Sequence, residues 1–184
     1  MSIRIPPHGG KRSRGDKPSA RGFISATAIA LVVLGLGFAC SVGTSAEPSA
    51  PRVVLNEIMY HPPGDREDLQ FLELHNAGDV AADVSRWSLC GGVDFAFPRG
   101  CLIEPRGFAV VCRSLAAFKA CYGDVPSLVG AFTGSVSRKG ERIELRDDRG
   151  QLVEAVEYGD RPPWPVAADG HGASLERVCA AGSP

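Results

Sequence analysis

Between residues 53 and 178 the sequence alternates short apolar segments with turn residues, and this rhythm limits the fold more than any other feature. β-branched and aromatic residues fill each segment, and Gly, Pro, Asn or Asp ends it. Turn signals that recur roughly every eight to twelve residues predict an all-β sandwich of about seven to nine short strands. The predicted strands cover residues 53–60, 69–76, 84–90, 95–97, 101–103, 108–112, 142–146, 152–158 and 173–178.

Two local patterns are more specific than this general rhythm. Residues 115–122 form the one helical pattern of the sandwich region, with Ser114 placed as its N-cap and Gly123 as its C-terminal stop. Residues 142–158 read as two alternating strands around the turn 147–150, which predicts a β-hairpin.

The first 46 residues have a different composition. Six Lys/Arg against one Asp give this part a net charge of +5, and the uncharged apolar run 23–39 follows. The run fits the core of a signal peptide, with small residues at 44–46 that allow cleavage before Glu47. Two other readings remain open: an uncleaved anchor that extends to Val42, or a lipoprotein box that ends at Cys40. All three place the rest of the chain outside the cytoplasm, as a secreted, periplasmic or membrane-anchored domain.

The predicted organisation is therefore a basic N-region with a signal peptide or anchor helix (1–46), a linker (47–52), a β-sandwich (53–178) and a short tail (179–184). Beyond residue 46, 14 Lys/Arg stand against 20 Asp/Glu, a net charge of −6. A nucleic-acid partner is disfavoured, because binding to phosphates needs a basic face. Contact with a membrane is expected only through the N-terminal segment.

Five cysteines follow Cys40, and an oxidising compartment predicts that most of them form disulfides. Their spacing matches no common zinc site. We expect Cys112 and Cys121 to pair across a strand end and the following helix. Because the number is odd, Cys179 is expected to stay unpaired or to link two chains into a disulfide-bonded dimer. The five are Cys90, Cys101, Cys112, Cys121 and Cys179.

Glu57 and Glu73 stand within apolar strands and are the strongest candidates for chemistry. If the first two strands pair, the two carboxyl groups approach each other, as glycoside hydrolysis requires. Charged residues on half-buried strands normally face solvent or pair with arginine, however, and Asn56 and Asn76 are expected to bond turn backbone. The sequence thus predicts a structural role for these residues and no catalytic site.

Other polar groups lack the spacing that their chemistry needs, so we expect no metal, cofactor or catalytic residue among them. The acidic run 64–68 with Asp160 and Asp169 has no calcium-loop ladder. The histidines have no paired ligand spacing, Ser174 lacks a nucleophile elbow, and residues 134–140 lack the Lys-Ser/Thr of a phosphate loop. Trp87 is expected to lie in the core. Trp164 is expected either to form a sugar-binding platform or to cover one end of the sandwich from a loop. Arg138, Lys139 and Arg142 are expected to form a solvated basic turn.

Ordered motifs run along the same segments. They are Leu55-Asn56-Glu57-Ile58, Phe71-Leu72-Glu73-Leu74-His75-Asn76, Val84-Ser85-Arg86-Trp87-Ser88-Leu89, Phe97-Pro98-Arg99-Gly100, residues 134–141, Ile143-Glu144-Leu145, residues 158–165 and residues 169–177. In this order they resemble the lamin-tail domain in the form found in exported bacterial proteins. The resemblance implies an immunoglobulin-like β-sandwich without a known catalytic centre, used as an interaction or attachment unit.

Three departures from the family pattern stand out. Arg86 occupies a position where the family usually has Gly, and Arg138-Lys139 replaces Asn-Ser. The sequence ends at Pro184 where relatives commonly continue, which leaves open a truncated last strand.

The function expected from the sequence is that of an exported, non-catalytic binding or adhesion module that recognises a protein or a cell-surface polymer. One alternative is a structural component tethered to the envelope. The other is a hydrolase that uses the carboxylates of Glu57 and Glu73.

Overall fold

The computed structural model describes residues 52–178. The predicted signal or anchor segment, Cys40 and Cys179 lie outside this range. Among the described residues, no helix has both the length and the apolar character needed to cross a membrane.

The described part of the chain contains twelve strands, one α-helix and three short 3-10 helices. The strands are β1 (Val53–Met59), β2 (Phe71–Asn76), β3 (Ala82–Asp83), β4 (Ser88–Cys90), β5 (Val93–Ala96), β6 (Leu102–Ile103), β7 (Phe108–Cys112), β8 (Leu128–Ala131), β9 (Thr133–Gly134), β10 (Gly140–Arg146), β11 (Leu152–Gly159) and β12 (Leu175–Glu176). The helix α1 is Leu115–Tyr122, and the 3-10 helices are Pro63–Asp65, Glu67–Leu69 and Val166–Ala168.

Two five-stranded sheets enclose the core. The first sheet has the order β12-β1-β2-β7-β8 and the second β11-β10-β4-β5-β9, while β3 and β6 form a small separate pair. All of these pairs are antiparallel except β7 with β8. Side chains from both sheets, such as Leu55, Leu74, Ile143 and Leu145, are buried in one cluster. This arrangement confirms the predicted immunoglobulin-like β-sandwich.

The predictions of the helix α1 and of the β10–β11 hairpin are confirmed, because both rest on local sequence signals. The Ser114 hydroxyl accepts a hydrogen bond from the Ala117 amide at the start of α1, and Gly123 ends the helix with φ +80°. At the turn between β10 and β11, the Asp147 carboxylate accepts hydrogen bonds from the Arg149 and Gln151 amides. Such side-chain bonds to backbone explain why Asp begins the turn.

The described range holds more strands than the seven to nine predicted, and four of the twelve are only two residues long. The most substantial strand that the sequence did not predict is β8, a parallel edge strand that contains Gly130. A Cβ at Gly130 would lie 2.9 Å from Cε2 of Phe95 in the second sheet, so the glycine permits a close approach of the two sheets. The alternation of apolar and polar side chains did not indicate this strand, because Gly130 is required for packing and has a low strand propensity.

The disulfide Cys112–Cys121, expected from the sequence, is not formed. Cys90, Cys101, Cys112 and Cys121, the four cysteines of the described range, are all free thiols. Cys112 is fully buried and its Sγ lies 3.8 Å from the Gly130 carbonyl oxygen, whereas Cys121 is exposed on α1. The strand end and the helix do come near each other, but the helix packs through Phe118 and leaves the two sulfurs in different environments.

Candidate functional site

A row of three glutamates lies on the outer face of the first sheet. Glu57 of β1 stands directly opposite Glu73 of β2 and directly opposite Glu176 of β12. Side chains that face each other across paired strands point to the same side of the sheet. The structure thus brings together the two carboxylates singled out from the sequence and adds Glu176. We refer to Glu57, Glu73 and Glu176 as the carboxylate row.

An irregularity in β1 makes Glu57 face outward. In an unbroken strand Leu55 and Glu57 would point to the same face. The register of β1 against β2 shifts between these two residues, and Asn56 occupies the extra position of a β-bulge. As a result Leu55 and Ile58 are both buried in the core, and Glu57 is turned out of it.

A partly buried ion pair supports the bulge. The Glu154 carboxylate of β11 accepts a hydrogen bond from the Leu55 amide, and it also accepts one from the Arg177 guanidinium. Arg177 completes the contact by donating through Nε to the Leu55 carbonyl oxygen, at 3.0 Å, and through its own amide to the Asn56 carbonyl oxygen, at 2.7 Å. We call this pair the Glu154–Arg177 clamp. Because β11 belongs to the second sheet, the clamp ties the edges of the two sheets together.

The carboxylate row has polar contacts but no cationic partner within the described residues. The Ser174 hydroxyl donates to Glu57, and Asn56 Nδ2 donates to Glu73 Oε1 at 2.9 Å. Glu57 and Glu73 do lie on the outer face, as expected, but they are half-buried there and neither pairs with an arginine of the described range. The expectation that Asn56 bonds turn backbone is wrong, because its side chain donates to Glu73 instead. Asn76 does behave as expected: its Nδ2 donates to the backbone carbonyl groups of the loops beside it.

Burial and repulsion by neighbouring carboxylates raise the pKa of two members of the row, Glu57 and Glu73. Burial, and then the negative charges of Glu73 and Glu176, raise the pKa of Glu57 above its usual range. Burial also raises the pKa of Glu73, with a further contribution from Glu176. The like charges on adjacent strands therefore cost stability when all three groups are ionised.

Two exposed aromatic side chains flank the row. On one side, His75 stacks on Phe108 with ring centroids 4.7 Å apart, and Phe108 is 45% exposed. On the other side, Tyr122 of α1 packs edge-on against Phe71 at 5.6 Å and is 40% exposed. Burial, and then the negative charges of Cys121 and Glu57, raise the pKa of Tyr122.

This face suits cations better than it suits other ligands. Carboxylates without a cationic partner attract ammonium and guanidinium groups, and flanking aromatic rings add cation–π attraction. A carboxyl group with a raised pKa beside a second carboxyl is also a feature of general acid–base catalysis. Binding of a cationic ligand and general acid–base catalysis would thus both depend on the carboxylate row.

The acidic loop that was weighed as a calcium site has its carboxylates paired with other side chains. Asp65 and Asp169 both contact the His61 ring, Asp68 pairs with Arg66, and Asp160 pairs with Lys139. These partners separate the carboxylates from one another. In the described range no group of three potential ligand side chains is placed to hold a metal ion.

The remaining sequence candidates have structural roles. Arg138 pairs with Asp65 and Glu67, and Arg142 pairs with Glu144, so these cations are compensated by nearby acids. Trp87 and Trp164 are half-buried against the core, and Trp164 lies over Gly159, where a Cβ would be 3.1 Å from its ring. Trp164 therefore covers the end of the sandwich.

One buried polar residue was not recognised in the sequence. Gln70 is 1% exposed, and its Nε2 donates to the carbonyl oxygens of Tyr60 and Val136 at 2.7 Å. Its Oε1 accepts from the Val136 amide at 3.0 Å. This side chain fixes the segment before β10 to the first sheet. No sequence pattern signals a partnership across 66 positions.

The family model described as Lamin Tail Domain matches residues 46–160 of the chain. This span includes Glu57, Glu73 and Glu154, while Glu176 and Arg177 follow it. No curated protein matches the chain.

Proposed function

The chain belongs to the lamin tail domain family, and from this premise we propose that it is an exported, non-catalytic binding or adhesion module. Its ligand is a protein or cell-surface polymer that carries cationic groups, and the ligand binds to the carboxylate row between Phe108 and Tyr122. An immunoglobulin-like module of this family needs no catalytic centre to act, because its sheet faces can serve as docking surfaces.

The observation that carries the proposal is the direct opposition of like charges on three neighbouring strands. Such an arrangement weakens the free protein, because each carboxylate is partly buried and repels the next. A bound ammonium or guanidinium group would remove that cost. The two exposed rings give the ligand apolar contact area beside the charges.

Binding can be measured with the full chain on surfaces coated with poly-lysine, poly-glutamate or uncharged dextran. We expect salt-sensitive retention on poly-lysine alone. The triple variant Glu57→Gln, Glu73→Gln, Glu176→Gln should bind about tenfold more weakly, if each charge pair contributes about 0.5 kcal/mol.

A matched control changes the net charge equally at exposed carboxylates outside the row, with Asp94→Asn, Glu104→Gln and Glu157→Gln. This control should retain the affinity of the unmodified protein. An equal loss in both triple variants would mean that net charge, rather than the row, determines binding. Absence of retention on poly-lysine would refute a cationic ligand.

The proposed location rests on the basic segment and uncharged run at the N-terminus. A fusion of alkaline phosphatase to the C-terminus of the full chain should be active in a bacterial host, because that enzyme matures only outside the cytoplasm. A matched fusion that lacks residues 1–46 should be inactive. Activity of the truncated fusion alone would contradict export through this segment.

The hydrolase alternative predicts a different result at the same residues. Turnover of a glycan panel that disappears in the variant Glu57→Gln, Glu73→Gln would establish carboxylate catalysis. A component that only tethers the envelope would bind neither poly-lysine nor a soluble ligand and would remain with the membrane fraction. The proposed binding module should show retention without turnover.

A further inference from the structure

His61 is held between two carboxylates at the end of β1. Its Nδ1 lies 2.6 Å from Asp169 Oδ1, and its Nε2 lies 2.8 Å from Asp65 Oδ1. Both ring nitrogens thus have an acidic oxygen at hydrogen-bond distance, and the ring is largely buried, with 19% of the side chain exposed. Asp65 and Asp169 belong to segments more than one hundred residues apart in the chain.

Only one protonation state satisfies both contacts. A neutral imidazole has one N–H donor and one acceptor nitrogen, whereas the imidazolium form has two donors. If the ring is neutral, one nitrogen presents a lone pair to a carboxylate oxygen, which is repulsive. With both aspartates ionised, the two short contacts therefore require the protonated ring.

The surrounding charges favour that state. Hydrogen bonds to Asp169 and then Asp65 raise the pKa of His61, while burial and the charge of Arg138 oppose the rise. Arg138 contacts Asp65 as well, and it belongs to the segment before β10. The Tyr60 ring is a further titratable neighbour, with its centroid 6.4 Å from that of His61.

The contact holds the segment that leads to the carboxylate row. Next to Asp169, the Gly170 amide donates to the His61 carbonyl oxygen at 3.2 Å, and Gly170 packs so closely that a Cβ would lie 3.2 Å from the ring. This segment leads directly into Ser174 and Glu176, which contact or complete the carboxylate row. Since β12 has only two residues, the segment before it needs other attachments.

We propose that His61 is a pH-dependent latch. As imidazolium it joins Asp65 to Asp169 and holds the segment 166–170 against the end of β1, and as the neutral ring it releases one of the two carboxylates. The latch is closed in mild acid and opens as the pH rises. This proposal does not depend on the identity of the ligand or on the function proposed above.

The test is nuclear magnetic resonance of the ¹⁵N-labelled full chain over a range of pH. The ring nitrogens of His61 should titrate together from the imidazolium form with a midpoint above 6.5. The hydrogen-exchange protection of the Gly170 amide should fall through the same midpoint. The loss should be about tenfold for each pH unit by which that midpoint exceeds 6.5.

Four variants make the result specific. Asp65→Asn and Asp169→Asn should each move the midpoint and the protection step to lower pH, and His61→Gln should abolish the step. His171→Gln, a change at an exposed histidine, should leave it in place. A midpoint at or below 6.5, or Gly170 protection without a step at the His61 midpoint, would overturn the latch. If His61→Gln fails to fold, the shift in Asp169→Asn decides the question alone.

Discussion

Arg86 adopts a left-handed backbone conformation, with φ +62°, in the turn that leads into β4. Its position in the turn is set by the Trp87 amide, which donates to the Val84 carbonyl oxygen at 3.1 Å. L-residues with a side chain pay about 1–2 kcal/mol in this conformation, whereas glycine does not. The structure thus gives a physical reason for the glycine that related sequences were expected to have here.

Replacing this residue should stabilise the protein. Arg86→Gly removes the backbone strain and gives up only an exposed ion pair with Asp148, with its atoms 3.3 Å apart. Glycine loses more chain entropy on folding than arginine does, and this cost offsets part of the relieved strain. The free energy of unfolding should therefore rise by about 0.5–1 kcal/mol. Urea denaturation measures the change. Arg99→Gly, at an exposed arginine without positive φ, is the control and should be neutral or destabilising.

At the level of single residues, the sequence supported some inferences and concealed others. Arg86 could be noticed as a departure from a motif. The outward turn of Glu57 could not be predicted, because it depends on one inserted position in β1 and on Glu154, 99 positions away from Leu55. Gln70 was equally hidden, since its partners are set by the packing of distant segments.

Among the elements, α1 and the β10–β11 hairpin were predictable because their signals are local. A capping serine, a terminal glycine and a turn begun by Asp147 each act within a few residues of the structure they specify. Of the two-residue strands, β6 and β12 lie within predicted segments, whereas β3, β9 and the longer β8 could not be predicted in this way. Their pairing depends on neighbours that are distant in sequence, and tertiary packing decides whether so short a segment is extended.

The Glu154–Arg177 clamp should be energetically coupled, because both side chains are mostly buried and share hydrogen bonds with the bulge. In a double-mutant cycle with Glu154→Gln and Arg177→Met, we expect a coupling free energy of about 1–2 kcal/mol. The exposed pair Arg66–Asp68 serves as the control and should show no measurable coupling. Additive effects in the first cycle would mean that the clamp does not support β1.

At the scale of the whole molecule, the thiols report how closely α1 packs over the first sheet, where Cys112 lies in one cluster with Phe118. Alkylation of native full-length protein, read by peptide mass spectrometry so that each cysteine is followed separately, should modify Cys121 rapidly. Cys112 is fully buried, and burial raises the pKa of its thiol, so it should react only as fast as the protein opens. Mild urea should accelerate labelling of Cys112 and leave that of Cys121 nearly unchanged. Equal rates in native protein would contradict the packing of α1 over β7.

Opposing groups determine how stability depends on pH. The raised pKa values of Glu57 and Glu73 mean that stability is lost as the pH rises from 4.5 through their folded values. The raised pKa of His61 acts in the same direction, because its contribution is present below 6.5 and is lost as the pH rises through the folded value. Hydrogen bonds from cationic partners lower the pKa of other carboxyls, whose contribution is present above 3.8 and is lost as the pH falls. These carboxyls include Asp65, Asp68 and Asp160.

The full chain should therefore be most stable in mild acid, at about pH 5, where the paired aspartates are ionised while His61 and part of the carboxylate row carry protons. Urea denaturation at a series of pH values from about 3 to 9 should show a decline on both sides of this maximum. Glu57→Gln with Glu73→Gln should raise stability at neutral pH and have little effect in acid, because glutamine removes a repulsion that protonation also removes. His61→Gln should flatten the same alkaline decline by lowering stability in acid. The control Glu104→Gln with Glu157→Gln, at exposed carboxylates, should preserve the shape of the profile. A maximum at pH 8 or above would contradict the burial and repulsion inferred for the row.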